Sequence, residues 1–459
     1  MNKTKFTKLT SLLLLSITTI PLCSCGLFNV EESVKVYKKS YTANEIRIAE
    51  SNTFRKLNDV NYPDYNKPYQ STNLTEEVKA AYSNFSNTTY HAIVDTSDKE
   101  NLSYCPVGLY SLMNEMYAAI SRDDLRTRFD NLLGLNRNDR ILFYTGIMNA
   151  NSFVQEDSTV QLKNGAFFNN EFNFNQDYVD YLRWLYCEAY QLNFKNEADK
   201  IVDWVNQAVN EANFIDKNFL EMTKDTQLYL FSTLYFKNAW LNKYLETDSV
   251  KDDFHFNDGT IDQVNYMRHS YMSDCYYDYG KYISVKDYYY NRNASVTYLI
   301  PKDLNDNIFE LTKNINIFDE IEENKVVSES EYGMNHFTVH LKTPRFKTSL
   351  EIDFKTSLTS LGFGDIFEPT IDSFKNAFND SRLTEVDTIY IEKMKQKNEV
   401  EFNEDGTTVK SVSMASMSKG EASPGFFDSI DVNLNQPFIY IIRDVNDTPI
   451  FVGHVNDPR

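Results

Sequence analysis

Near its C-terminus the chain reads Asn435-Gln-Pro-Phe-Ile-Tyr-Ile-Ile442 and, a few residues on, Asn446-Asp-Thr-Pro-Ile-Phe-Val452. Each holds a dense apolar run, Phe438–Ile442 and Ile450–Val452, behind a turn-forming segment rich in Asn and Pro. Runs of this kind, apolar at successive positions rather than alternate ones, predict strands buried on both faces. Upstream, Phe337, Val339 and Leu341 alternate with Thr338 and His340, and Ile389 and Ile391 with Tyr390 and Glu392, which predicts strands with one solvated face. Farther back the period changes. Val78, Tyr82, Phe85 and Ile93 form a helical stripe from Thr75 to Val94, opened by Thr75 with Glu76 and Glu77. A second stripe runs from Leu109 to Ile120, and a third through Ile201, Trp204, Val205 and Val209. Helices first and strands mostly later favour an α+β fold over an alternating α/β one.

The N-terminus sets the expected address. Lys3, Lys5 and Lys8 precede an apolar run through Leu12–Leu15 to Ile20, too short for a comfortable membrane span and ended by small residues, as in an export signal. Leu22-Cys-Ser-Cys-Gly26 resembles a bacterial lipobox, which implies diacylglyceryl attachment at Cys25. Cys23 is the poorer acceptor, with Pro21 two residues before it. Two or three acyl chains, at about 0.8 kcal/mol per buried CH₂, would hold the protein at the outer face of a bacterial membrane. The expected division is a signal over 1–24, a lipidated N-terminus and flexible tether over 25–71, and one domain over 72–459. The tether reading rests on a polar stretch interrupted at Pro63 and Pro68.

Composition narrows the function. With 46 basic and 66 acidic residues the net charge is −20, which argues against nucleic acid or an anionic membrane surface as partner. Cys105, Cys187 and Cys275 lack metal or disulfide spacing and are expected to be small buried hydrophobes. There is no GxSxG, HExxH, phosphate-binding glycine loop or GxGxxG, and only 14 glycines, so neither an enzyme nor a cofactor or metal site is expected. Asp444-Val-Asn-Asp447 lacks the glycine and terminal glutamate of a calcium loop and is expected to be a turn. His336 and His340 share a strand face and are expected to be surface or satisfied polar groups.

An ordered set of motifs resembles the serpin family of protease inhibitors. Asn101-Leu-Ser-Tyr-Cys-Pro-Val-Gly-Leu109 is similar to the start of its second helix, with Cys105 and Gly108 in place of serines. Ser232-Thr-Leu-Tyr-Phe-Lys-Asn-Ala-Trp240 resembles a central strand, with Ser232 in place of Asn. Tyr298-Leu-Ile-Pro-Lys302, Thr343-Pro-Arg-Phe346 and Leu361-Gly-Phe-Gly-Asp-Ile-Phe367 follow in order. Glu404-Asp-Gly-Thr407, Gln436-Pro-Phe438, Phe451-Val-Gly453 and Asn456-Asp-Pro458 complete the C-terminal signature. The resemblance covers residue 72 to the end. It implies helices packed on three mostly antiparallel β-sheets, with an exposed reactive-centre loop and no catalytic residues. It also implies suicide inhibition of an extracellular serine protease by a monomer: the protease cleaves the loop, and the freed segment enters the main sheet. Alternatives within the same family are a non-inhibitory binding protein or sacrificial substrate, and an inhibitor of papain-like cysteine proteases.

Insertion requires small or apolar side chains at alternate positions. Behind the expected hinge, Glu404 and Gly406, that set is Thr407, Val409, Ser411, Ser413, Ala415 and Met417, with Lys410 on the opposite face. No Pro occurs from Gly406 to Ser423 to break a new ladder. Ser411 and Ser413 would be buried hydroxyls costing about 1–3 kcal/mol each if unpaired. Counting from Gly406 puts the scissile bond at Lys419 or Gly420, counting back from Pro437 puts it at Phe426, and Met417 is a further candidate. The resemblance also assigns Cys105, Gly108, Ser232 and Gln396 to the region where the sheet opens, and pairs Arg345 with Glu404 near Trp240.

Overall fold

Three sheets organise the chain in a computed structural model that describes residues 46, 48, 51, 53–67, 72, 74–97, 101–155, 157–273, 275–304, 306–319, 337–384, 387–408 and 429–459. The main sheet runs laterally β1 (Arg55–Lys56), β5 (Cys187–Leu192), β4 (Ser158–Asn169), β6 (Leu228–Ala239), β15 (Gly406–Thr408), β14 (Lys395–Asn403), β13 (Phe346–Asp353), with β3 (Ser152–Gln155) also on β4. Within this sheet, among the described residues, only β4 and β5 pair in parallel. The second sheet is β2 (Leu102–Tyr104), β18 (Pro449–Val455), β17 (Phe438–Asp444), β11 (Ala294–Pro301), β10 (Tyr282–Tyr288), β9 (Tyr276–Asp278). The third is β16 (Ser429–Asn433), β12 (Phe337–Pro344), β8 (Ile261–Ser273), β7 (Val250–His255). The two dense C-terminal runs are β17 and β18, adjacent, antiparallel and buried at every residue.

The principal core lies between the second sheet, one face of the main sheet and the helices α1 (Glu76–Thr96) and α2 (Pro106–Tyr117). Thr75 caps α1, its hydroxyl accepting the Val78 N–H at 3.3 Å, and Glu76 and Glu77 occupy the positive end of the helix. Pro106 opens α2, where its missing N–H costs nothing. This helix ends at Tyr117, short of the predicted Ile120. Farther along come α3 (Asp123–Leu133), α4 (Arg137–Ala150), α5 (Gln176–Trp184), α6 (Phe194–Ala208) and the single turn α7 (Lys217–Leu220). Trp204 and Ile201 of α6 build a smaller core on the main sheet with Phe167 and Tyr190.

Three expectations are corrected. Residues 53–67 are not tether. Phe54 and Tyr65 are buried, and β1 lengthens the sheet through Arg55↔Gln191 and Lys56↔Tyr190. Lys56 pairs with Glu188 at 3.1 Å, and the Tyr62 and Tyr65 rings cover the buried Lys163 ammonium. These polar residues look solvated in sequence because their partners lie about 100 residues away or more. Second, Ile389 and Ile391 lie outside the strands. Their backbone bonds go to Ser373, Phe374 and Ile366, which takes them out of any ladder. Third, strands are interleaved early: β4 carries Gln161, Lys163 and Asn164 yet is buried throughout, so polarity hid it. The 444–448 segment is a turn, Asp447 N–H donating to Asp444 O at 3.0 Å. Among the described residues no three acidic, His or Cys side chains group as a metal site, and no helix is long and apolar enough to cross a membrane.

Candidate functional site

The main sheet has a break. Among the described residues strand β15 joins β6 and β14 over three rungs: Gly406 between Ala239 and Asn403, Thr407 between Asn238 and Phe402, and Thr408 between Lys237 and Glu401. Below Thr408, among the described residues, β6 and β14 border one another without pairing. Central strands are normally covered, but Leu228–Ser232 of β6 and Lys395–Lys397 of β14 are half-buried. A cavity of about 250 Å³ lies at the break, lined by both borders and, beneath them, by Cys105, Gly108, Leu112 and Met116.

At its upper end the break closes on Gly406. A Cβ there would stand 2.1 Å from the Asn238 carbonyl oxygen, so no other residue fits between the strands. Thr407 is buried, its hydroxyl 2.6 Å from that of Tyr289. Trp240 stacks on Tyr289 with centroids 4.8 Å apart and donates its indole N–H to Asn403 O at 2.8 Å, bracing the Asn403–Gly406 turn. Beside it Arg345 pairs with the buried Glu404, which also accepts the Ser249 hydroxyl at 2.6 Å. Burial opposes ionisation of Glu404, but these two donors outweigh it and hold the carboxyl below its usual range.

At mid-height the two borders face the start of α2 differently. Gln396 accepts the Cys105 N–H at 2.8 Å and returns its amide to Cys105 O at 3.0 Å, a closed pair of bonds. Asn398 donates to Ser103 O at 2.8 Å and to the Gln396 carbonyl oxygen at 2.9 Å. Strand β14 is thus tied to the helix start. Across the break the Ser232 hydroxyl is buried with no hydrogen-bond partner among the described residues. Gly108 makes room for this arrangement: a Cβ there would lie 2.8 Å from the Gln396 amide nitrogen. Cys105 is buried, and burial pushes its thiol up to about 12, which leaves it inert. Cys187 is also buried, whereas Cys275 is half-exposed.

Two residues of this site escaped sequence reading. Asn398 follows Gln396 by two and therefore shares its strand face, a signal that was available. Tyr289 gave none, because its role depends on a partner 118 residues away. Of the expected site residues, Glu404, Gly406, Thr407, Trp240, Arg345, Cys105, Gly108, Ser232 and Gln396 gather around the break. Cys25, Val409, Ser411, Ser413, Met417, Lys419, Gly420 and Phe426 lie outside the described residues, as does His336. His340 is exposed and bonds Ser270 at 2.6 Å.

Comparison with known proteins is consistent across sequence and structure. The family model "Serpin (serine protease inhibitor)" matches residues 80–458. The chain is 24% identical to Serpin-Z10 of Arabidopsis thaliana over 394 residues, 81% of this chain and 95% of that one. It is 29% identical to Serpin-Z4 of Hordeum vulgare over 240 residues, 51% of this chain and 56% of that protein. Among solved structures it is similar to the native state of the thermophilic serpin tengpin, with TM-score 0.69 and 20% identity over 86% of this chain and 97% of that one. Native protease nexin-1 with heparin gives 0.66 and 19%, over 83% and 99%.

Proposed function

The chain belongs to the serpin family, a family of protease inhibitors, and on that premise we propose that it is a suicide-substrate inhibitor of extracellular serine proteases. In this reading a protease cleaves the loop after Thr408 and is held as an acyl-enzyme on its own serine. The freed segment then enters the break between β6 and β14 as a new central strand, carrying the protease with it.

The observation that carries the proposal is the register of the three formed rungs. Continuing both ladders downward would set Val409 between Phe236 and Val400, Ser411 between Leu234 and Asn398, Ser413 between Ser232 and Gln396, and Ala415 beside Leu230. Val409 would join the core face, where Phe236 and Val400 are already buried. The two hydroxyls would arrive beside polar groups, Ser413 meeting the partnerless Ser232, so the penalty for unpaired hydroxyls is avoided. Lys410, on the outer face, would stand beside Glu399. Each new backbone bond contributes about 0.5–1.5 kcal/mol, and each buried large apolar side chain about 1.5–3 kcal/mol.

Incubating the soluble body with a panel of serine proteases should give an SDS-stable complex, and the mass of the released peptide should identify the scissile bond among Met417, Lys419, Gly420 and Phe426. Val409→Pro should convert trapping into plain cleavage, because proline removes a ladder N–H. Loop cleavage with neither a complex nor a rise in thermal stability would refute the proposal. We further propose that acylation of Cys25 keeps the inhibitor at the outer face of a bacterial membrane. Mass analysis of the mature N-terminus tests this, and an unmodified N-terminus would overturn it.

A further inference from the structure

The connector between α6 and β6 crosses the lower half of the break and grips its far border. Lys397 of β14 donates to Phe214 O at 2.7 Å, its ammonium 5.2 Å from the centre of the Phe214 ring. Glu221, at the end of α7, receives Lys393 at 2.6 Å on one carboxylate oxygen and Lys395 on the other. Lys395 also reaches Glu351 of β13 at 2.8 Å. Glu392 accepts the hydroxyls of Thr223 and Thr226, each at 3.2 Å. The connector runs directly into β6, the near border. Its contacts therefore tie the two borders together outside the backbone ladder.

We propose that Glu221, with Lys393 and Lys395, is an electrostatic clasp that sets how fast the main sheet opens to accept a strand. Glu221 is a positioning residue: it touches neither the loop hinge nor a protease. Among the described residues it is the one carboxylate that meets both ammonium groups, and since its connector leads into β6, parting β6 from β14 below Thr408 would draw it away from them. The Glu221 carboxyl is held down to about 2 by its hydrogen bonds to Lys393 and Lys395, so the clasp stays charged across the ordinary pH range. Its side chain is 39% exposed, so salt screens the attraction. Ionic strength then becomes a control on sheet opening. The inference rests on the insertion reading above and adds a rate-setting element to it.

The test uses an acetylated synthetic peptide with the sequence Thr407–Met417, which reports sheet opening without a protease. Its uptake by the full chain is followed on native gels between about 0.02 M and about 0.5 M NaCl. Wild-type uptake should speed up with salt. Glu221→Gln should take up peptide about threefold to tenfold faster at low salt and lose most of the salt dependence. Exchanging the charges throughout, Glu221→Lys and Glu351→Lys with Lys393→Glu and Lys395→Glu, should restore slow, salt-sensitive uptake, which a merely structural role would not. If wild type and Glu221→Gln take up peptide at one rate and with one salt slope, the clasp fails while insertion stands. If the wild type neither takes up peptide nor traps any protease, insertion itself fails, and the clasp with it.

Discussion

The packing of Gly108 against Gln396 makes a sharp prediction because one substitution should change sign with its background. In the wild type, Gly108→Ala puts a methyl group 2.8 Å from the Gln396 amide nitrogen. Gln396 must move, which breaks its bond to Cys105 O, a loss of about 1 kcal/mol. The crowding itself costs about 1–3 kcal/mol. Against this, alanine is favoured over glycine in a helix by up to about 1 kcal/mol, less in this first turn. The net should be a destabilisation of about 1–4 kcal/mol. In a Gln396→Ala background the obstacle is gone, and Gly108→Ala should be neutral or stabilising by up to about 1 kcal/mol. The coupling between the two sites is therefore about 2–4 kcal/mol. Urea-induced loss of the native state, followed by near-ultraviolet circular dichroism for the four proteins of the cycle, measures it. Equal destabilisation by Gly108→Ala in both backgrounds would show that Gln396 does not occupy the space Gly108 leaves, and the account of the helix start would be wrong.

Phe54→Ala should lower stability by about 3 kcal/mol, as for other buried aromatics, and removal of residues 1–67 should bare the β5 edge and promote aggregation; a truncated chain as stable as the whole would restore the tether reading. Asp444 is fully enclosed, and burial raises its carboxyl to about 6 against the opposing Asn151 and backbone donors. A raised folded-state value means that its contribution is complete below about pH 4 and is lost as pH climbs to about 6; in Asp444→Asn that slope of stability with pH should vanish. Glu115, buried with neither carboxyl oxygen hydrogen-bonded, is likewise pushed upward by burial, so Glu115→Gln should flatten a further decline that begins as pH rises past the ordinary carboxylate range. Glu404 acts in the opposite sense. Its lowered value gives stability that is present at neutral pH and lost on strong acidification, and Glu404→Gln should remove that loss.

The clasp and the helix-start tie bear on one mechanical question, which parts of the sheet can move. Strand β14 is fastened to Cys105 and Ser103 through Gln396 and Asn398, whereas the Ser232 hydroxyl of β6 has no hydrogen-bond partner among the described residues. Polar ties to the start of α2 thus lie on β14, while β6 packs against α2 and α6 and continues from the connector. On the insertion reading proposed above, opening would have to break the polar contacts of Glu221, Glu392 and Lys397.

Local periodicity determined much of this protein before any contact was known. The helical stripe after Thr75, the doubly buried strands Phe438–Ile442 and Ile450–Val452, and the alternation from Phe337 to Leu341 all report the neighbours of each residue along its own backbone, and all became the expected elements. The ordered motifs also marked Gly406, which begins β15, and brought Arg345 to Glu404, because each pairs a distinctive residue with a fixed strand end. Tertiary structure alone decided the rest. Strand β4 is buried although it carries Lys163 and Asn164, since distant tyrosine rings cover the Lys163 ammonium and the Leu185 carbonyl accepts the Asn164 amide. The stretch around Phe54 belongs to the body because its ladder partners lie some 130 residues on. The alternation at Ile389 and Ile391 was not enough to make a strand, because a neighbouring loop took the backbone bonds first. Burial and hydrogen-bond satisfaction depend on what the fold brings from elsewhere in the chain, and local sequence does not encode those partners.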